Sequence, residues 1–274
     1  MTVNHSATDE DFEGDPRPEA PLRYVMGADV LRLPTNCSIC GLREACLPCD
    51  LMLAGAGHGK GPVISDRRLR RGESLYRAGD AFACLYTVRS GFFKTVQIVE
   101  VGREQVIGFH MAGDMLGADG IGSEAHGCDA IALEDSGVCM IPYSQIESLV
   151  RSMQGLRHRL QRAMSDEIVR EHNVMLLLGT RSAEERLAAF LLNLSERFAA
   201  RGYSPAEFIL RMTRDEIGSY LGMKGETVCR IFAKFREQGL ISVQNKRIRI
   251  PDVAGLKHCI NRKYDGGTKR MTRP

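Results

Sequence analysis

Thr213-Arg-Asp-Glu-Ile-Gly-Ser-Tyr-Leu-Gly-Met-Lys-Gly-Glu-Thr-Val-Cys-Arg-Ile-Phe-Ala-Lys-Phe-Arg-Glu-Gln-Gly239 is the stretch that decides the fold. Thr213-x-x-Glu216 is a capping-box signature, in which a hydroxyl and a carboxylate satisfy the free amides of a helix start. It opens a helix from Arg214 to Leu221, and Gly222 supplies a tight turn. A second helix runs from Gly225 to Gln238, and Gly239 stops it. Ile217, Leu221, Val228, Ile231 and Phe235 recur at helical spacing and form a shared core. Ile241-Ser-Val243, a polar turn over Gln244-Asn-Lys246, and Arg247-Ile-Arg-Ile250 follow as a hairpin wing. Two helices, a turn and a wing predict a winged helix-turn-helix.

The second helix puts Glu226, Cys229 and Arg230 in its N-terminal turns, where a recognition helix meets base edges. Arginine can donate two bonds to guanine O6 and N7, and glutamate can accept from cytosine N4. A solvated helix face with a Glu226–Arg230 pair at i,i+4 would read the same locally. The complete turn-and-wing pattern favours the DNA-reading interpretation.

Upstream, Ser182-x-x-Glu185 is a second capping box and opens a helix to about Arg201. From Tyr143 to Leu178 one long helix is expected. Its apolar positions are Ile146, Leu149, Met153, Leu156, Leu160, Met164, Ile168, Met175 and Leu178, in coiled-coil steps of three and four apart from one step of seven between Ile168 and Met175. The run of four-residue steps from Leu156 to Ile168 would locally unwind a supercoil. Glu171 falls on this seam, either as a carboxylate between paired helices or as a solvated edge residue. Earlier still, residues 63–142 alternate short β-type runs with glycine turns: Leu85-Tyr-Thr-Val88, then Ser90-Gly91, then Phe92 to Val101, then Val106 to His110. That texture predicts a jelly roll or β-roll.

At the other end four cysteines sit within thirteen residues, Cys37-x2-Cys40-x5-Cys46-x2-Cys49. Such density points to a metal, a cluster or thiol redox chemistry. Structural zinc could use all four. An iron–sulfur cluster could use three with one from a distant segment. A dithiol switch needs two, and unliganded thiols are the bland alternative. Cys84, in a strand, is expected to be a small buried hydrophobe.

The 274 residues contain 43% hydrophobic and 26% charged residues, the balance of a soluble globular chain. No apolar run reaches membrane length, and the acidic start lacks a signal-peptide core, so a cytoplasmic location is expected. In that compartment nine cysteines are not a disulfide framework. The net charge of +3 is small, but Lys257 to Arg273 is basic while residues 9–15 are acidic. No nucleophile–base or phosphate-loop signature suggests an enzyme. The expected organisation is a disordered tail (1–35), a cysteine segment and linker (36–62), a β-roll (63–142), a dimerisation helix (143–180), a winged helix-turn-helix (181–255) and a basic tail (256–274).

Several segments together resemble the FNR-type oxygen-sensing regulators of the CRP/FNR superfamily. They are Leu75-Tyr-Arg-Ala-Gly-Asp80, Arg89-Ser-Gly91, Gly108-Phe-His-Met-Ala-Gly-Asp114, Gly120-Ile-Gly-Ser123, Ala183-Glu-Glu-Arg-Leu-Ala-Ala-Phe190, Phe198-Ala-x-Arg-Gly202, Thr213-Arg-x-x-Ile-Gly-x-Tyr-Leu-Gly222, and Glu226-Thr227 with Arg230. The resemblance implies an α+β chain: a cyclic-nucleotide-binding-like β-roll (jelly roll), a long dimerisation helix and a C-terminal winged helix-turn-helix. It implies an oxygen-labile [4Fe-4S] cluster on Cys37, Cys40, Cys46 and Cys139, the last from Gly137-Val-Cys-Met-Ile-Pro142. Cys49 and Cys128 are unmatched. It further implies a homodimer paired around Ile168 and Glu171, double-stranded DNA of the type TTGAT-N4-ATCAA, and contact with RNA polymerase. The alternative is a thiol-redox or zinc-stabilised regulator without a labile cluster. The sequence departs from the family at three places. Cys229 replaces the serine of E-x-x-S-R, Gly41 replaces a polar residue, and Arg103 stands where relatives carry an acidic residue facing RNA polymerase. Residues 123–132 lack the Arg-Ser/Thr pair that holds a cyclic-nucleotide phosphate, so no cyclic AMP binding is expected.

Overall fold

The computed structural model describes Leu42, residues 64–100 and residues 102–261. Cys37, Cys40, Cys46, Cys49 and both tails lie outside these residues, as does the side chain of Arg103.

Eight strands form two facing sheets: β1 (Ser65–Leu69), β2 (Ser74–Tyr76), β3 (Cys84–Ser90), β4 (Phe92–Glu100), β5 (Arg103–Met111), β6 (Met115–Leu116), β7 (Asp129–Ala132) and β8 (Ser136–Pro142). The orders are β1-β8-β3-β6 and β2-β7-β4-β5, and every pairing is antiparallel. Between the sheets Leu69, Tyr86, Val88, Phe93, Leu116, Ala130 and Val138 form the sandwich core. This is the expected β-roll, and its chain reversals use glycine where the backbone demands it. At Gly91, with φ +86°, a Cβ would stand 2.1 Å from Ser136 Oγ.

The register of β4 and β5 shifts between Thr95 and Val96, where Thr95 pairs with Gly108 and Val96 with Val106. Ile107 is therefore an extra residue, a β-bulge. It reverses the alternation of β5, so Val106 shares a face with Phe109 and Met111, while His110 turns inward to Thr95. Gly108 makes this possible, because a Cβ there would stand 2.6 Å from Thr95 Oγ1 and 2.8 Å from His110 Nε2.

The expected long helix is two helices, α1 (Tyr143–Ser152) and α2 (Gln154–Thr180). Met153 between them is extended, with φ −130° and ψ 103°. The break lets Ile146 and Leu156 both pack on Leu85 and Ile141, on the outer face of β3 and β8. In a straight helix ten residues would separate them by about 15 Å along the axis. The stripe read as one coiled-coil seam therefore changes partner. Its first part covers the β-roll, with Leu149, Met153 and Leu160 packed there too. Farther along, Ile168, Val169, Met175 and Leu176 are more than half exposed.

Helices α3 (Ala183–Ala199), α4 (Arg214–Tyr220), α5 (Gly225–Glu237) and α6 (Val253–Asn261) follow, with β9 (Glu207–Ile209), β10 (Ser242–Gln244) and β11 (Arg247–Arg249). The hairpin β10–β11 is the expected wing, and β9 adds a third strand beside β11. Helix α6 extends across the boundary expected at residue 255 and packs on α3 through Leu256.

His110 is fully enclosed. Its Nε2 lies 3.2 Å from Thr95 Oγ1, and its Nδ1 has no hydrogen-bond partner among the described residues. Burial pulls its pKa down to about 4, Asp114 opposing and Arg197 and Arg170 reinforcing the fall. The unfolded chain, near the ordinary 6.5, takes up the proton first as pH falls. The contribution to stability is therefore complete above pH 6.5 and is lost as pH drops toward 4, by up to about 3 kcal/mol. Urea unfolding of the parent and of His110→Gln across this window should show the parent declining more steeply. Equal slopes would assign the decline to other groups.

Candidate DNA-reading face and cysteine site

Both capping boxes form completely. Thr213 N donates to Glu216 Oε2 at 2.7 Å while Glu216 N donates to Thr213 Oγ1 at 3.2 Å. At α3, Ser182 N donates to Glu185 Oε2 at 2.8 Å and Glu185 N to Ser182 Oγ at 3.4 Å. Gly222 takes φ +62° in the turn, and Gly239 takes φ +70° after α5. Gly218 lets α4 approach that turn, since a Cβ there would lie 2.6 Å from Met223 O. Ile217, Leu221, Val228, Ile231 and Phe235 are all buried, as expected.

With that stripe facing inward, Glu226, Cys229 and Arg230 stand exposed on one side of α5. Among the described residues no ion pair joins Glu226 to Arg230. Their hydrogen-bonding groups are thus open to a ligand, and a helix presenting both can enter a major groove. Arg214, at the first position of α4, lies 3.5 Å above the Phe232 ring, a cation–π contact that fixes α4 against α5. Sequence reasoning did not single it out, although its i,i+18 partner is aromatic.

The reading unit is tied to α2 by Arg186, whose guanidinium donates to Leu178 O at 2.8 Å and Leu221 O at 3.1 Å. It is tied to the β-roll by the bulged face. Val96, Val106, Phe109 and Met111 share one apolar core with Phe190, Leu191, Ile217 and Leu221. Around it, Lys94 Nζ reaches Glu216 Oε1 at 2.9 Å, Val106 N donates to Ser219 Oγ at 2.9 Å, and Arg211 pairs with Glu134 at 3.0 Å.

Asp114 completes this junction. Its buried carboxylate meets Arg201 at 2.6 Å, Arg197 closely, and Arg170 of α2 at 3.8 Å, and it accepts from Met111 N at 2.8 Å. Burial alone would raise its pKa, but Arg197 and Arg201 outweigh burial and hold it below the usual carboxylate range. It is an ionised group compensated on three sides.

Cys139 is buried on the outward face of β8, paired with Thr87 of β3 on one side and Asp66 of β1 on the other. Its Sγ lies 3.9 Å from Asp66 Oδ1, and Arg89 binds that carboxylate at 2.8 Å. Thr87 in turn pairs with Met115 of β6, just beyond the Ala112-Gly113-Asp114 turn. Leu42 Cδ2 lies 3.8 Å from where a Cβ on Gly113 would stand. Cys128 is also buried. Burial, then the Asp119 carboxylate, pushes its thiol up to about 12, so it stays protonated. Cys84 is half-buried against the sandwich core, close to the small-hydrophobe expectation.

The α2 face that carries Met164, Glu167, Ile168 and Glu171 walls a cavity of about 280 Å³, with Tyr76, Thr95, His110 and Asp119 opposite. Among the described residues no helix is long and apolar enough to cross a membrane.

Residues 66–153 match the cyclic nucleotide-binding domain family, and residues 185–259 match the Crp-like helix-turn-helix domain family. The chain is 42% identical over 217 residues to the transcriptional activator protein anr of Pseudomonas aeruginosa, covering 79% of this chain and 89% of that protein. It is 43% identical over 215 residues to the fumarate and nitrate reduction regulatory protein of Escherichia coli, covering 78% of this chain and 86% of that protein. Among solved structures, FixK2 from Bradyrhizobium japonicum is similar with a TM-score of 0.67 and 27% identity, over 72% of this chain and 97% of that one.

Proposed function

The chain belongs to the CRP/FNR family of DNA-binding transcription regulators, which are not enzymes, and from that membership we propose that it is an oxygen-responsive switch. In this reading it binds a TTGAT-N4-ATCAA type palindrome as a homodimer, contacts RNA polymerase there, and acts in the cytoplasm. The observation that carries the DNA-binding part of the reading is the open Glu226–Cys229–Arg230 face on a winged scaffold whose preceding helix α4 is held by a complete capping box.

Cys37, Cys40, Cys46 and Cys139 would hold a [4Fe-4S] cluster, whose lability toward oxygen would supply the signal. The described part of the site fits that group. Cys139 is buried but faces outward, and the Arg89–Asp66 pair beside it places a guanidinium near a thiolate site. Adjacent strands lie about 4.8 Å apart, so Cys139 stands roughly 10 Å across the sheet from β6. Leu42 Cδ2 lies 3.8 Å from where a Cβ on Gly113 would stand, in the turn entering β6. Cys40 and Cys46 are two and four residues from Leu42, within chain reach of about 7 and 14 Å. That reach supports a shared site.

Dimerisation would cover the bare stripe of α2. Ile168 and Met175 are seven residues apart, as are Val169 and Leu176, two adjacent columns of a coiled-coil surface. Glu171, three residues after Ile168 and one heptad after Met164, flanks the Ile168 column, and its carboxylate would approach its own copy across a two-fold axis. We infer that this repulsion holds the cluster-free chain apart. The cavity behind α2 is lined by Asp119, Glu167 and Glu171 and, among the described residues, by no lysine or arginine, which argues against a phosphate-bearing cyclic nucleotide.

Three outcomes follow from these assignments. Anaerobically purified Cys139→Ala should lack iron, sulfide and brown colour, while Cys49→Ala keeps them. The reverse pattern would make the four-cysteine packet self-sufficient. Arg230→Ala should weaken binding to the palindrome by about 1–3 kcal/mol and relax selection at its guanine, the scale of one bidentate base contact. Unchanged selection would reduce Arg230 to a phosphate or solvent contact. Glu171→Ala should sediment as a dimer in air without iron, and a monomer like the parent would place the brake elsewhere.

A further inference from the structure

Three separate parts of the chain converge on the three-residue turn Ala112-Gly113-Asp114. From the last turn of α3, Arg197 pairs with Asp114 and donates to Phe109 O at 3.0 Å, and from the turn just after α3, Arg201 donates to Ala112 O and pairs with the same carboxylate at 2.6 Å. From α2, Arg170 stands 3.8 Å from Asp114 and 3.1 Å from Glu167, and its Nη1 has no hydrogen-bond partner among the described residues. From the segment between Cys40 and Cys46, Leu42 approaches Gly113, within 3.8 Å of its Cβ direction, and Arg201 Nε lies 3.7 Å from the same point. The turn's own backbone amide and carbonyl bond back to β3: Gly113 N donates to Val88 O at 2.8 Å, and Val88 N to Asp114 O at 2.9 Å.

We propose that Asp114 is the positioning residue of the DNA-reading domain, and that the Ala112-Gly113-Asp114 turn couples the cysteine segment to it through Leu42. The part assigned to Leu42 rests on the cluster reading given above. The physical basis is the asymmetry of the contacts. One buried carboxylate faces three guanidiniums, so a small displacement of the turn lengthens ion pairs to two helices at once. Arg197, in the last turn of α3, and Arg201, in the turn that follows and bonded to Arg197 O at 2.8 Å, anchor the C-terminal end of α3, which carries the apolar surface under α4. Arg170 is the loosest of the three and sits on the helix that carries Ile168 and Glu171, so it is the member free to change partners. Leu42 shares the Gly113 face with Arg201, so a shift of Leu42 bears on the turn and on the Arg201 guanidinium together. The coupling needs only the differential contacts of one leucine and one ion pair, within the range known between linked sites.

The test uses the full-length chain, with Leu42→Ala, Arg201→Lys and Asp114→Asn beside the parent. In iron-free protein, hydrogen exchange is followed at the Met111 and Gly113 amides, at α3 and α4, and at the sandwich core. Asp114→Asn and Arg201→Lys should speed exchange at the turn, α3 and α4 by at least about fivefold while Phe93 and Val138 in the core stay unchanged. Uniform acceleration, or none, would make Asp114 a general stability contact and overturn its positioning role. In anaerobically reconstituted protein, Leu42→Ala should keep the parent's iron and absorption spectrum. Its ratio of DNA affinities with and without iron should shrink at least about fivefold. A parent-like ratio with full iron would remove Leu42 from the coupling. A parent that takes up no iron would overturn the cluster reading and the Leu42 part together, while the exchange measurement still decides Asp114.

Discussion

The junction of the two domains depends on an apolar surface on the wrong side of a sheet. Phe92, Val96, Val106, Phe109 and Met111 point away from the sandwich core, and leaving them in water would forfeit roughly 1.5–3 kcal/mol for each large side chain. Helices α3 and α4 cover them, and Phe109, Phe190 and Tyr220 close the contact with ring centroids 5.0–6.0 Å apart. Without the bulge at Ile107, Val106 would turn into the sandwich and Phe109 and Met111 would lose their neighbour. Asp114 is the polar counterpart of this surface. Removing one partner of such a buried pair costs about 3–5 kcal/mol, because the remaining charge is stranded.

The same economy of surfaces explains the helical connection. The apolar stripe of residues 146–178 serves two masters. Its first turns roof the outer face of β3 and β8, and its middle presents Ile168, Val169, Met175 and Leu176 to solvent. The extended Met153 separates those duties. At the far end Arg186 staples the last turn of α2 to the turn of the reading unit. A change in how α2 packs therefore has a covalent and hydrogen-bonded route to α4 and α5.

Most of the reading domain was legible because its signals are local. The boxes at Ser182 and Thr213, the stop at Gly239, the inward stripe of α4 and α5 and the wing each depend on residues within seven positions of one another. The β-roll was legible from alternating strands and glycine turns. The break at Met153 was not, since Gly155 is the one weak breaker nearby and the packing of Ile146 and Leu156 on Leu85 and Ile141 is a long-range contact. Strand β9 has three residues and exists by pairing with β11, 38 positions or more away. Asp114 with Arg197 and Arg201 joins partners 83 and 87 positions apart, and nothing in local spacing marks it. For the site, Glu226, Cys229 and Arg230 stand together as expected, because one helix carries them. Cys139 was placed by family resemblance, and its outward, buried position on β8 is consistent with that use.

The central claim is that DNA affinity follows the cysteine-bound cofactor. The direct measurement is fluorescence anisotropy on a labelled TTGAT-N4-ATCAA duplex, using anaerobically purified protein exposed stepwise to air, with absorbance and iron read on the same samples. The account predicts that affinity falls in proportion to the bleaching of the cluster chromophore. Affinity that stays constant while iron is lost would contradict it.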